Sequence, residues 1–173
     1  MASLYTQQSR NVFRTWLLMS AFFVLVMLVG WALSLYVGGV SILYIAVGFS
    51  IFMNITAYWF SAKAAIMSTG AKEADEAQYR ELHRMLENLS ITAGLPKPKL
   101  YVINDPAPNA FAAGRNAKHA LVAVTTGLLA RLDKSELEGV LAHELSHIGN
   151  RDILVTTVAV VLPGAPTIVT DLF

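Results

Sequence analysis

The most regular feature of the sequence is a pair of long apolar blocks near its start. The first covers residues 16–37 and the second residues 40–60, with two glycines between them at positions 38 and 39. A helix of about 20 apolar residues crosses a hydrocarbon core about 30 Å thick, so each block is long enough to span a membrane once. We therefore predict a two-helix transmembrane hairpin with a very short turn.

Two other interpretations of these blocks are weaker. A cleaved signal peptide has an apolar region of only about 7–15 residues, and no second span of equal length follows it. A hairpin buried in a soluble core would need more protein around it than residues 61–173 provide. The transmembrane interpretation is therefore preferred.

Basic residues flank the hairpin but are absent from its turn. Arg10 and Arg14 precede the first block, and Lys63 and Lys72 follow the second. Cytoplasmic flanks of membrane helices carry an excess of Lys and Arg, so both ends of the hairpin should face the cytoplasm. We expect a multi-pass protein of the cytoplasmic (inner) membrane.

The remaining sequence predicts a small α+β domain. An amphipathic helix over residues 73–93 is followed by three short strands that imply a small antiparallel sheet, at residues 99–104, 109–114 and 119–125. Small residues at 61–71 suggest a linker between the two parts. We divide the chain into a membrane anchor at residues 1–62 and a cytoplasmic domain at residues 63–173.

Composition supports this division and narrows the chemistry. The chain is 55% hydrophobic and 14% charged, and residues 1–60 contain only two basic residues and no acidic one. The apolar content excludes a disordered protein, and a net charge of +1 gives no support to a nucleic-acid binder. Because the chain has no cysteine, a disulfide-stapled domain is excluded, and any metal must be held by His, Asp or Glu.

A second helix in the domain carries the candidate chemistry. Ser135 can cap its start, and Glu138 can reach back to the amide of that cap. His143 and His147 then lie on the side of the helix that is roughly opposite to its apolar positions. Those apolar positions are Leu137, Leu141, Leu145 and Ile148.

Residues 143–147 form the pattern HExxH. Its histidines are one helical turn apart, so His143 and His147 can bind a single zinc ion. Glu144 is rotated away from the histidines, which lets it take a proton from a metal-bound water that then attacks a peptide carbonyl. The alternative is a pair of solvated histidines. His83 and His119 are interpreted as non-ligands.

The segment HELSHIGNRDILV, preceded by NAFAAGRNAKHALVAVTTGLLARLDKSELEGVLA and by two apolar spans, resembles the HtpX-type membrane zinc metalloproteases of bacteria and archaea. The resemblance implies a gluzincin endopeptidase that is anchored in the cytoplasmic membrane and acts on unfolded or misfolded membrane proteins. It assigns the zinc ligands to His143 and His147 and the catalytic base to Glu144.

The resemblance also suggests that residues 109–113 form an edge strand beside the active-site cleft. A short strand of small residues can present unpaired backbone groups to an extended peptide. The candidate substrate-binding residues are Asn109, Ala110, Phe111 and Ala112. The alternative is an internal strand that is paired on both sides.

One expected element has no counterpart in the sequence. Members of the family take a third protein ligand from a glutamate on a later helix, and no glutamate follows Glu144 here. Asp152 would lie about 140° around a continuing helix from His147, and Asp171 is isolated. The apolar tail, residues 153–173, is broken by prolines at 163 and 166.

This departure suggests a truncated or divergent C-terminus, with the third-ligand region missing. It leaves a second function class open besides the peptidase. That alternative is a truncated, non-catalytic membrane-anchored module that binds or regulates other proteins. In both function classes the protein is expected to contact the lipid bilayer, and in neither is it expected to bind nucleic acid.

Overall fold

The computed structural model of the protein describes residues 4–155. A helical hairpin comes first, formed by α1 (Leu4–Val37) and α2 (Ser41–Thr69). The chain reverses between them at Gly38, whose φ of 79° lies in the left-handed region that glycine adopts without strain. Both helices are long and apolar enough to cross a membrane, over Gln8–Val37 and Ser41–Phe60. The predicted hairpin is present.

The two helices touch along a stripe of small residues. Gly30, Ser34, Ser50 and Ala57 are buried, whereas large apolar side chains such as Leu25 point outward and are exposed. This is the reverse of a soluble protein, in which the largest apolar side chains form the core. Small residues at the contact let helix backbones approach closely, as they do between helices in membranes.

The rest of the described chain forms one small sheet with helices around it. Its elements are β1 (Lys72–Glu73), α3 (Arg80–Ala93), β2 (Lys99–Ile103), β3 (Ala110–Gly114), β4 (Ala120–Thr125), α4 (Thr126–Arg131) and α5 (Lys134–Asn150). The strand order is β1-β2-β4-β3. The fold is therefore α+β, as predicted.

The sheet is mixed, so the prediction of an antiparallel sheet is wrong. β3 and β4 form an antiparallel hairpin, and β1 pairs antiparallel with β2, but β2 and β4 are parallel. The sequence shows only that three strands follow one another. In the structure, β4 inserts between β2 and β3, and the chain direction then makes it parallel to β2.

Helices cover both faces of the sheet. On one face, α3 and α5 pack against β2 and β4 around Leu86, Val122 and Leu141, each of which is completely buried. On the other face, Ala65 and Ile66 from the last turns of α2 pack with buried residues of the sheet. The sheet is thus the middle of three layers.

The predicted linker at residues 61–71 is mostly helical. α2 continues without a break from the apolar span to Thr69 and ends at Gly70, which has φ 64°. The small residues that suggested a linker instead allow the helix to lie close to the sheet.

Two predicted helix starts also shift. The helix predicted from residue 73 begins at Arg80, because Glu73 belongs to β1 and the Asp75 side chain accepts backbone hydrogen bonds from Ala77 and Gln78 in a turn.

The capping box of α5 lies two residues earlier in the sequence than predicted. Asp133 accepts the Glu136 amide at 2.8 Å, and Glu136 accepts the Asp133 amide at 3.0 Å. The predictions for the tail beyond residue 155 and for Asp171 fall outside the described residues.

The close approach of α1 and α2 leads to a testable difference between two glycines. A Cβ on Gly30 would clash with Cβ of Ala46, whereas a Cβ on Gly48 would meet open space. We expect Gly30→Val to destabilise the detergent-solubilised protein by about 1–3 kcal/mol through overpacking, and Gly48→Val to have little effect. Thermal melting of both variants measures the difference. Equal melting temperatures would show that this contact does not hold the hairpin.

Candidate metal and catalytic site

The HExxH residues lie on α5, whose rotation about its axis is fixed by its buried side. Leu141, Leu145 and Ile148 are 0%, 2% and 1% exposed, respectively. Since successive residues are separated by about 100° around a helix, this apolar stripe turns His143 and His147 toward the surface. The capping box at the start of α5 satisfies two backbone amides that the helix leaves without partners.

The two histidines converge on one point. Their Nε2 atoms are 3.1 Å apart, and the ring planes are nearly perpendicular, at 85°. Two imidazole lone pairs repel at this distance unless a proton or a cation lies between them. Zinc accepts neutral imidazole nitrogens as ligands, so the chemistry of this donor pair fits a zinc ion.

Asp152 supports the second histidine. Its Oδ2 lies 2.9 Å from Nδ1 of His147. If Nδ1 donates its proton to this carboxylate, Nε2 keeps the lone pair that a metal ligand needs. Metal-binding histidines commonly have such a carboxylate partner.

The sequence does not predict the contact between Asp152 and His147, because a helix that continued past residue 150 would carry Asp152 away from His147. α5 ends at Asn150, and Arg151 adopts a left-handed conformation with φ 56°. This turn brings the next residue back toward the helix instead of 140° around it. An HExxH motif followed five residues later by an aspartate is the only sequence signal for this contact.

Glu144 lies half-buried between α5 and the sheet. Burial raises the pKa of its carboxyl group, and this effect outweighs the opposing charges of His147 and His143 and a hydrogen bond from the Ala112 backbone. A higher pKa makes a carboxylate a better proton acceptor near neutral pH. The same backbone contact places the carboxyl group beside β3.

β3 is the last strand at one end of the described sheet. The Thr125 amide donates to the Asn109 carbonyl at 3.0 Å. In an antiparallel pair every second residue is hydrogen-bonded to the neighbouring strand, so the β3 residues whose backbones face β4 are Phe111 and Ala113, in step with Asn109. The backbone groups of Ala110 and Ala112 consequently point away from β4. Of the four candidate substrate-binding residues, these two present their backbones at the edge.

The start of α1 reaches the end of α5. The Gln8 side chain donates to the Gly149 carbonyl at 2.6 Å, and the Asn11 side chain donates to the Asn150 carbonyl at 3.0 Å. The last carbonyls of a helix have no partner within the helix, so these two side chains satisfy them. No pattern in the sequence indicates this contact, which joins residues about 140 positions apart.

The other histidines lie elsewhere. Nε2 of His83 is 3.0 Å from the Ala74 carbonyl, and Nδ1 of His119 is 2.8 Å from the Asn116 side chain. Within the part of the chain that the structure describes, no group of three or more His, Asp or Glu side chains is arranged to hold a metal ion. The two HExxH histidines are a partial donor set.

Comparisons with known proteins identify the family of the chain. The sequence pattern of Peptidase family M48 matches residues 76–171, more than half of the chain, and this range includes α5. A "Protease HtpX homolog" of Caldanaerobacter subterraneus subsp. tengcongensis is 43% identical over 173 residues, which are 99% of this chain and 58% of the relative. Another, of Pyrococcus furiosus, is 47% identical over 152 residues, 88% of this chain and 51% of the relative.

A third protein of the same name, from Paraburkholderia phytofirmans, is 44% identical over 155 residues, 90% of this chain and 53% of the relative. The chain thus spans a little more than half the length of these relatives. The resemblance to HtpX-type proteases noted in the sequence is confirmed by these matches. The chain belongs to peptidase family M48.

Proposed function

We propose that the protein is a membrane-anchored, zinc-dependent endopeptidase of the gluzincin type that hydrolyses unfolded or misfolded membrane proteins at the cytoplasmic face. The observation that carries the proposal is the convergence of the His143 and His147 Nε2 atoms, 3.1 Å apart, beside a half-buried Glu144. Membership of family M48 and two helices long enough to span a bilayer support it.

His143 and His147 would hold the zinc ion through their Nε2 atoms. When bound, zinc supplies Lewis-acid chemistry that polarises a peptide carbonyl and acidifies water. Catalytic zinc sites commonly have three protein ligands. No group of three His, Asp or Glu side chains is arranged to hold a metal ion among residues 4–155, so the described residues would supply two of these ligands.

Glu144 would act as the general base. Its position next to His143, and its contact with the backbone of Ala112, put the carboxylate between the histidines and the sheet edge. There it can take a proton from the attacking water and pass it to the leaving amine. General base catalysis is typically worth about 10²–10⁴ in rate.

The edge of β3 would hold the substrate. An extended peptide can hydrogen-bond to the outward backbone groups of Ala110 and to the carbonyl of Ala112, whose amide donates to Glu144, and so add a strand to the sheet. A folded protein does not offer a free extended segment, which favours unfolded substrates. The neighbouring apolar hairpin would keep the site close to membrane proteins.

The incomplete donor set favours one second candidate function. A chain that keeps the β3 edge and two histidines, but lacks a third ligand, would bind substrates or regulate a partner without hydrolysing them. Chelator-sensitive cleavage of unfolded casein by the purified chain would exclude this candidate.

We predict different effects for changes to the three HExxH residues. His143→Ala and His147→Ala should each abolish tight zinc binding, because neither imidazole can be spared, whereas the matched control His119→Ala should retain it. Glu144→Gln should retain zinc while losing about 10²–10⁴ in the rate of casein cleavage. Metal analysis and a cleavage assay measure the two properties. Loss of zinc from a folded Glu144→Gln protein would contradict these roles.

Asp152 is predicted to position His147. Asp152→Asn should keep the fold but weaken zinc binding by about 10–100-fold, since the charged acceptor for Nδ1 is lost. Competition with a chromogenic chelator measures the affinity. Asp105→Asn, which changes an exposed aspartate in another loop, is the control. Equal zinc affinity in the two variants would show that Asp152 does not support the ligand.

Two neighbouring proline substitutions test the substrate edge. Ala112→Pro replaces an amide that points away from β4, and that donates to Glu144, with a ring that obstructs the strand edge. It should weaken binding of a fluorescein-labelled casein peptide with little loss of stability. Ala113→Pro removes an amide that faces β4 and should lower the melting temperature strongly. Unchanged peptide affinity in a folded Ala112→Pro protein would show that β3 is not the substrate platform.

A further inference from the structure

A basic cavity lies where the hairpin meets the sheet domain. Its volume is about 680 Å³, which is within the usual range for small-ligand sites. Its walls come from the first half of α1, the later part of α2, the turn after α3, the β3–β4 turn and the end of α5. None of the residues proposed for zinc binding or catalysis lines it.

The charged residues of this cavity all have the same sign. Arg115, Lys118 and Arg151 line it, and no aspartate or glutamate does so among the described residues. None of these three cations forms an ion pair within residues 4–155, where the ion pairs involve Lys97, Lys99 and His147. Three cations around one cavity, without an ion pair among the described residues, favour an anionic ligand.

Aromatic residues place the cavity at the level of lipid headgroups. Trp16 and Tyr58, which both line the cavity, stack with their ring centroids 6.4 Å apart. The guanidinium of Arg115 lies over the ring of Trp59, 4.1 Å from its centroid. Trp and Tyr concentrate at the boundary between the hydrocarbon core and water, and these three lie at the ends of the apolar spans nearest the domain.

We propose that this cavity binds the phosphate headgroup of an anionic phospholipid. Basic pockets beside membrane helices on the cytoplasmic side are suited to such headgroups. A lipid fits better than free phosphate because apolar side chains, Val12 and Leu154, complete walls that also carry the cations. The proposal depends on the membrane orientation given above but not on zinc or peptidase chemistry.

The lipid would join parts of the protein that are distant in sequence. Arg115 belongs to the β3–β4 turn, and Arg151 directly precedes the residue that contacts His147. A phosphate held by both would connect the sheet to the end of α5 at the membrane surface.

The test uses the full chain in a mild nonionic detergent. Short-chain phosphatidylglycerol, short-chain phosphatidylcholine and inorganic phosphate are titrated separately, and tryptophan fluorescence reports binding because Trp16 lines the cavity. We expect saturable binding of phosphatidylglycerol that is at least about tenfold tighter than that of phosphatidylcholine. Inorganic phosphate at the same concentrations should neither bind nor compete.

Paired variants identify the cavity. The double variant Arg115→Gln/Lys118→Gln should weaken phosphatidylglycerol binding by about tenfold or more. The control Arg131→Gln/Lys134→Gln removes the same charge from exposed positions that do not line the cavity, and its affinity should stay within about twofold. If the first double variant does not fold, as judged by circular dichroism, Lys118→Glu and its control Lys134→Glu replace the two pairs.

Three results would overturn the proposal. Equal loss of affinity in variant and control would indicate a general charge effect, and equal binding of both lipids would remove the need for an anion. Full competition by inorganic phosphate would identify a simple anion site instead of a lipid site. The assay contains neither zinc nor peptide, so its failure is distinguishable from failure of the proposed peptidase function.

Discussion

The geometry of the candidate site depends on the buried apolar stripe of α5. A helix has a fixed angular relation between its residues, so burying Leu141 and Ile148 determines where His143 and His147 can point. The sheet and α3 supply the surface that this stripe packs against. Glu144, one residue on from the first histidine, is then directed toward β3. The packing of one side of α5 in the core therefore also determines the directions of the HExxH side chains on its other side.

The last turn of α5 is held by contacts from α1 and from the segment that follows α5. Gln8 and Asn11 of α1 satisfy its terminal carbonyls, and the left-handed Arg151 turns the chain so that Asp152 meets His147. Helix ends ordinarily fray, since their last carbonyls have no partner inside the helix. Here the first apolar helix and the HExxH helix stabilise each other at that point, so α1 helps to hold the candidate site in place.

Local patterns in the sequence were enough to predict the hairpin, the three longer strands and the HExxH helix. They failed where the outcome depends on contacts between distant segments. The insertion of β4 between β2 and β3 and the contact of Gln8 with Gly149 leave no periodic signal in the sequence. Serine is a favourable N-cap residue, so the sequence predicts a cap at Ser135. In the structure α5 begins two residues earlier, and Asp133 and Glu136 form the capping box. The contact of Asp152 with His147 depends on where α5 ends, and the sequence does not show that α5 ends at Asn150.

The continuity of α2 has a consequence for the reach of the domain. The apolar span ends at Phe60, yet the helix runs on to Thr69 and packs there against the sheet. At about 1.5 Å per residue, this extension rises roughly 14 Å beyond the end of the span, and the sheet packs along its side. A flexible linker would let the sheet domain take many positions relative to the span, whereas a continuous helix that packs on the sheet allows one. The position of the β3 edge relative to the apolar span is therefore set by a continuous helix and not by a loop.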